Sequence, residues 1–439
     1  MSMRHGDETR AWLLLAVGAL AVAGGLALVL AVSRAPGAEH WLPSGPDFFR
    51  RTLVTHVVFS FQVWLLAMLG ALAATVAPAR SPAWAWGGLL PAWGGCGLLL
   101  VPILTGGGEA SLNNYVPVLI HPFFYLGLGL LAVGVVSVAL RPLWRWRRMD
   151  AVGCGLAAAG SALAAALVSI VIASLDPTLG ADPHLANERL FWGGGHILQF
   201  VNAILAMVGW LVASRRAFGA EAPPGWAVRG CFAALGLAAW VGPGLELAYD
   251  SADLVLRESF TRLFRVVLPL PPALMMIVTV GPWLRRRPCL DPVARRALLL
   301  SVAVFGLGGL AGFALGEGDT RTPSHYHAMI GGVNLALMGM IHLWLLPTAA
   351  GGWLGAQYWL YGGGQLLHAA GFYLAGVAGV ARKTAGAAQG LDSALKLVSM
   401  GVVGLGGAIA VFGGVIFVVQ SLSGFRAHPA QGADIVDPH

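Results

Sequence analysis

The sequence predicts an all-α polytopic membrane protein of about twelve transmembrane helices, on three observations. First, 57 % of its 439 residues are hydrophobic and only 11 % are charged, far from the balance of a soluble domain. Second, its mean hydropathy is +0.74. Third, long apolar runs such as AWLLLAVGALAVAGGLALVLAV recur along the whole chain with short polar breaks between them. Such runs lack the short alternating segments of a membrane β-barrel, so helices are left as the way to satisfy the backbone in lipid. A separate soluble catalytic domain is excluded by the same composition.

Spans are expected to begin near residues 11, 52, 83, 114, 151, 190, 228, 262, 296, 323, 354 and 395, each about 20 to 28 residues long. This divides the chain into a cytoplasmic tail over 1–10, a twelve-helix domain over 11–422 and a polar tail over 423–439. The first span is too long for a signal h-region and reads as an uncleaved anchor. With the N-terminus cytoplasmic, Arg141, Arg145, Arg147 and Arg148, then Arg215, Arg216 and Arg229, then Arg285, Arg286, Arg287, Arg295 and Arg296 all face inward, which is the positive-inside pattern. The net charge of +7 therefore serves orientation; the partner it implies is the bilayer, not nucleic acid. Cys96, Cys154, Cys231 and Cys289 form no C-x-x-C and no C-x-x-C-H and read as small apolar fillers.

Intramembrane metal-liganding and ionisable groups are costly enough to point to function. His56 stands near the start of the second span, His196 near the start of the sixth, and His325 with His327 at the start of the tenth, all in spans running from outside inward. The seventh span runs the other way, and its last turns, LELAYDSADL, bring Glu246, Tyr249 and Asp250 to the same outer depth. Side chains at i and i+2 on a helix point about 200° apart, so His325 and His327 in PSHYHAMIGGV cannot share one metal and face two partners. Two haems flanking one helix suit this spacing, with His56 as a second axial ligand for one of them; the plain alternative is a pair of interhelical hydrogen-bonding histidines. His121, followed by a proline, reads as a helix cap or kink, and His342 and His368 as interhelical donors. The sixteen tryptophans, many near span ends, read as an aromatic belt.

The segments RRTLVTHVVFSFQVWLLAM, FWGGGHILQF, TPSHYHAMIGGVNLALMGMIHLWLLP and AGVAGVARK, in that order, resemble the main subunit of the haem-copper oxidase superfamily, over nearly the whole chain. The resemblance implies a cytochrome c oxidase subunit I-like bundle in a bacterial-type inner membrane, making 11–422 a haem-binding domain. It implies two haems: a low-spin bis-histidine haem on His56 and His327, and a high-spin haem on His325. Arg382 and Lys383 match the family's basic pair against the haem propionates, where electrostatics would also place two cations.

The chain departs from the family at the non-haem metal. His196 matches the sixth-span ligand, but GLELAYDSAD stands where the family has two adjacent histidines. Glu246 and Asp250 are spaced i, i+4, which on a helix puts them on one face. One imidazole with carboxylates is a hard donor set that favours iron over copper; the alternative is that these carboxylates simply meet water. Phe200 occupies the place of the redox tyrosine of oxygen-reducing members, with Gln199 and Asn202 the nearest polar side chains, and VLPLPP resembles the eighth span of nitric oxide reductases. The inner halves of the spans show almost no ionisable or hydroxyl groups, whereas the outer loops carry Glu109, Asp176, Asp182, Glu188, Asp253, Glu258, Glu317 and Asp319.

The expected function is thus a non-pumping nitric oxide reductase with His325, His196, Glu246 and Asp250 at its centre. Its electrons would come from an outer-side cupredoxin-like or c-haem subunit, or from quinol. Two alternatives stay open: a terminal oxygen reductase, and a dihaem electron-transfer or gas-sensing subunit without the second metal. A solute transporter predicts inverted repeats and helices broken at the midplane, and neither pattern is present.

Overall fold

Prolines set the starts of many helices: Pro82, Pro122, Pro183 and Pro292 each stand in a first turn, where the missing N–H costs nothing. The preceding side chains Ser81, His121, Asp182 and Asp291 accept the first free N–H groups. In the computed structural model, which describes residues 5–34, 46–219, 225–346 and 352–427, the elements run in order as follows. Helix α1 (His5–Arg34) precedes α2 (Pro46–Val57), which continues through a π-helical turn (Val58–Val63) into α3 (Trp64–Val76). After α4 (Pro82–Thr105) comes a hairpin of β1 (Glu109–Ser111) and β2 (Val118–Ile120), then α5 (Pro122–Ala139), α6 (Ala151–Ser174) and α7 (Pro183–Phe218). Next are α8 (Gly225–Ala238), α9 (Val241–Ala248) and α10 (Leu254–Arg262), followed by a second π-helical turn (Leu263–Val267) and α11 (Leu270–Leu284). The chain closes with α12 (Pro292–Ala311), α13 (Arg321–Met340) with a third π-helical turn (Ile341–Leu345), α14 (Gly352–Val377) and α15 (Ala394–Ala427).

Among the described residues, eleven segments are long and apolar enough to cross a membrane. The remaining long helix, α14, has 26 residues but carries Gln357, Gln365 and His368 along its length. The helix containing α7 is the buried centre of the bundle, with 89 % of its apolar window inside, against 28 % for α15 at the periphery. Buried polar bonds fix the central helices to one another, as expected where hydrophobic attraction between helices is weak. Trp64 Nε1 donates to Asn334 Oδ1 at 2.8 Å, Asn334 Nδ2 to Tyr361 Oη at 2.7 Å, and Trp210 Nε1 to Ser301 Oγ at 2.7 Å.

Four sequence expectations change. The expected tail over 1–10 is helical from His5, where α1 begins, and Glu8 is buried and paired with Arg141 at 2.8 Å; residues 1–4 lie outside the described residues. At the other end α15 runs to Ala427, past the expected boundary at 422, and 428–439 lie outside the described residues. No helix begins at 114, because Gly106 and Gly108, at φ 70° and 80°, turn the chain into the hairpin, and Pro122 then opens α5. The seventh span stops at Ala248, with Tyr249 extended at φ −138° and ψ 144°. Ser251 N–H donates there to the carboxylate of Asp176, 75 positions away, a tertiary bond that takes this N–H out of any helical ladder.

Candidate functional site

One cavity of about 1200 Å³ opens among the helix ends beside the hairpin, lined by His56, His196, His325, His327 and His368. It exceeds the roughly 300–1,000 Å³ of a site for one small ligand. Four of these imidazoles are held alike. Each has its Nδ1 against a backbone carbonyl: His56 on Ala23 at 2.9 Å, His196 on Trp192, His325 on Gly308 and His368 on Val403, all three at 2.7 Å. A carbonyl only accepts, so Nδ1 carries the proton and Nε2 the lone pair, the tautomer and anchoring that iron-binding histidines use. Gly312 makes room for His325, since a Cβ there would lie 2.8 Å from its Cε1.

His327 differs. Among the described residues it makes no hydrogen bond and sits among rings: Tyr326 at 5.0 Å, His368 at 4.7 Å and Phe372 at 5.4 Å. His325 thus turns to α12 and His327 to α14, the divergence that their i, i+2 spacing requires. Around the rim stand Arg34, Arg382 and Lys383. Arg34 lies over the rings of Phe49 and Phe372, at 5.2 and 5.7 Å. Lys383, at φ 61°, reaches the Leu112 carbonyl, and burial together with Arg382 lowers its ammonium to about 8. Beside them the Arg321 guanidinium, 2.7 Å from Asp319, holds that carboxyl below its ordinary range. Anchored imidazoles aimed into a large cavity with cations at its rim fit haem groups with their propionates.

The donors expected for a non-haem metal do not fit. His196 Nε2 is met at 2.9 Å by the hydroxyl of Tyr115, whose ring lies 4.2 Å away. Asp250 is exposed in the turn after α9, so the helix face that Glu246 and Asp250 were expected to share does not form. Glu246 is buried, but it is not among the cavity residues, and its Oε1 has no partner. Tyr249, 38 % exposed, is also outside the cavity. Among the described residues no three His, Cys, Asp or Glu side chains come together to hold a metal. The run Gly193–Gly195 explains the crowding around His196: Cβ atoms there would strike Glu246 and Phe260, then Ile170, then Tyr115.

Tyr115 and Arg34 line the cavity although no motif in the sequence marks them. His368, expected as an interhelical donor, does bond α15 and lines the cavity as well. The inner end of α14 is also more polar than expected, with Gln357, Tyr361 and Tyr358, whose hydroxyl meets His342 at 3.3 Å. Gln357 and Tyr361 begin a stripe that Gln365 and His368 continue, at helical spacing, to the cavity. The period was the signal that could have revealed this stripe.

The family model described as cytochrome c and quinol oxidase polypeptide I matches residues 8–410. The chain belongs to this family. Membership makes it a multi-pass membrane oxidoreductase of the haem-copper superfamily, whose members generally bind haems and a non-haem metal and act on gases with electrons from a donor. An uncharacterised protein of Aquifex aeolicus is 30 % identical over 348 residues, covering 76 % of this chain and 83 % of that one. An uncharacterised protein of Rickettsia prowazekii is 24 % identical over 94 % of this chain and 95 % of its own. In fold the chain is similar to a haem-copper terminal oxidase solved as a dimer by electron cryomicroscopy, with TM-score 0.75 and 15 % identity over 99 % of this chain and 86 % of that one.

Proposed function

We propose that this family member reduces nitric oxide at a haem held by His325, with an electron-transfer haem held by His56 and His327 and propionates set against Arg34, Arg382 and Lys383. The observation that carries the reading is a single cavity ringed by carbonyl-anchored imidazoles in which the donors of a second metal do not converge. When bound, the two haems supply two electrons, the number that 2 NO + 2 H⁺ + 2 e⁻ → N₂O + H₂O consumes, whereas O₂ needs four to reach water. Neither Glu246 nor Asp250 serves as an iron ligand in this reading.

The protein's own groups handle protons and access. Tyr115 O–H donates to His196 Nε2 at 2.9 Å and holds a proton at the cavity wall. Gln62 Nε2 donates to the Tyr115 carbonyl at 3.0 Å and fixes the hairpin over the site. Beyond it, Asn114 Nδ2 donates at 3.0 Å to Glu188, the carboxylate through which this reading brings protons in from that side. The arginine-rich loops support a topology with the opposite face toward the cytoplasm, in this reading from a bacterial-type inner membrane. The electron donor is then an outer-side c-haem or cupredoxin-like subunit, or quinol.

The test is anaerobic NO consumption by the reduced, purified protein, with N₂O measured as product and haem counted per chain. NO turnover that His325→Ala abolishes supports the reading. A second reading, reduction of oxygen, is favoured by Tyr115, which puts a phenol against His196 where Phe200 offers none. Oxygen uptake without NO turnover would select it. Two haems with neither activity would overturn both and leave electron transfer or gas sensing.

A further inference from the structure

We propose that His368 is a third imidazole of the electron-transfer haem site, able to bind the iron in the position assigned to His327. The proposal rests on the two-haem reading above. Histidines that bind iron usually donate their other N–H to a carbonyl or carboxylate, which fixes the ring and raises its basicity. His368 has that support from Val403 at 2.7 Å, as His56 and His325 have from Ala23 and Gly308. His327, the residue on the helix shared with His325, has no such partner among the described residues.

The place of His368 is built by both neighbouring helices. On α15, a Cβ at Gly407 would lie 3.1 Å from His368 Nδ1, and one at Gly406 would run into the His368 backbone. Larger residues there would push the ring off its carbonyl. On α13, Thr320 Oγ1 donates to the Phe372 carbonyl at 2.8 Å and Ser324 Oγ to the Ala369 carbonyl at 2.7 Å. These two bonds pin α13 to α14 beside the histidines. The rings of His327 and His368 stand 4.7 Å apart at 84°, with Phe372 4.7 Å from His368 and 5.4 Å from His327. Side by side at that distance, only one of the two rings would hold the iron. His368, with its carbonyl support in place, would serve where His327 is removed.

The test uses the full-length protein in detergent, with haem per chain and electron paramagnetic resonance of the oxidised low-spin haem as readouts. Haem content of the wild type checks the two-haem reading separately: two haems are required before the variants are interpreted, and fewer overturn that reading. With two haems present, His327→Ala is expected to keep a six-coordinate bis-imidazole signal, and His327→Ala combined with His368→Ala to lose it. A low-spin signal lost already in His327→Ala overturns the proposal. Should His327→Ala fail to accumulate, His327→Met supplies another ligand of similar length. A bis-imidazole signal in that variant supports His368 as the ligand, and a histidine–methionine or high-spin signal overturns it.

Discussion

Replacing Tyr115 by phenylalanine removes a single oxygen and leaves the ring that packs 5.8 Å from Trp192 and 4.2 Å from His196. What disappears is the hydroxyl that meets His196 Nε2 at 2.9 Å. His196 is 2 % exposed and its Nδ1 is already committed to the Trp192 carbonyl, so Nε2 is left unsatisfied in the interior. Orphaning a buried hydrogen-bonding group costs about 1–3 kcal/mol, and the variant should unfold more easily by that amount. If the hydroxyl also passes the proton that the reaction consumes, a loss of that size slows turnover on the order of 10- to 100-fold. Thermal unfolding in detergent and anaerobic NO consumption read the two effects, with haem content as the control. Unchanged melting and unchanged turnover would refute the reasoning about the hydroxyl. A third metal in the wild type that His196→Ala removes would refute the claim that the metal donors do not fit.

Three further outcomes follow from the packing. Arg141→Met strands Glu8, whose side chain is 5 % exposed and paired with Arg141 at 2.8 Å; the loss expected is about 3–5 kcal/mol in thermal unfolding. Gly193→Ala drives a methyl into the Glu246 carboxylate and to 2.6 Å from Phe260, a clash costing about 1–3 kcal/mol that should lower melting without removing the spectra of the haems proposed at His56 and His325. Burial pushes the Asp176 carboxyl up, but hydrogen bonds from Ser251 and Thr178 outweigh it and bring the group down to about 2. Its contribution is therefore complete above the ordinary 3.8 and disappears as pH falls through about 2. Unfolding followed across that interval should show a loss in the wild type that Asp176→Asn, already weaker at neutral pH, does not repeat.

Properties that depend only on helical geometry were legible in the sequence. The divergence of His325 and His327 follows from i, i+2 spacing, and the structure turns one to Gly308 and the other to His368. Placing Glu246 and Asp250 on one face also relied on helical geometry, but the helix ends at Ala248 and Ser251 beyond it bonds Asp176, 75 positions away, a partner that nothing nearby in the chain announces. Tyr115 was out of reach for a similar reason. Its hairpin is held by Gln62 and Lys383, residues 53 and 268 positions away, so no local pattern announces where the ring will point. His368 was visible by period along α14, yet the carbonyl that orients it belongs to α15 and emerges only on packing.

The π-helical turn over Val58–Val63, close after His56 with Val57 between them, amounts to one residue more than an α-helix needs. Because each residue advances an α-helix by about 100°, the wide turn takes up that extra residue's rotation and keeps the helices on either side in phase. Below it, Trp64 keeps its bond to Asn334; above it, His56 is turned to the Ala23 carbonyl and the cavity. Winding those six residues as α-helix without removing one would rotate one half against the other by about a quarter of a revolution, so that either the histidine or the tryptophan faces the wrong neighbour. The reach of His56 is thereby written in the winding of the segment as well as in its residues, and both contacts hold only while the turn stays wide.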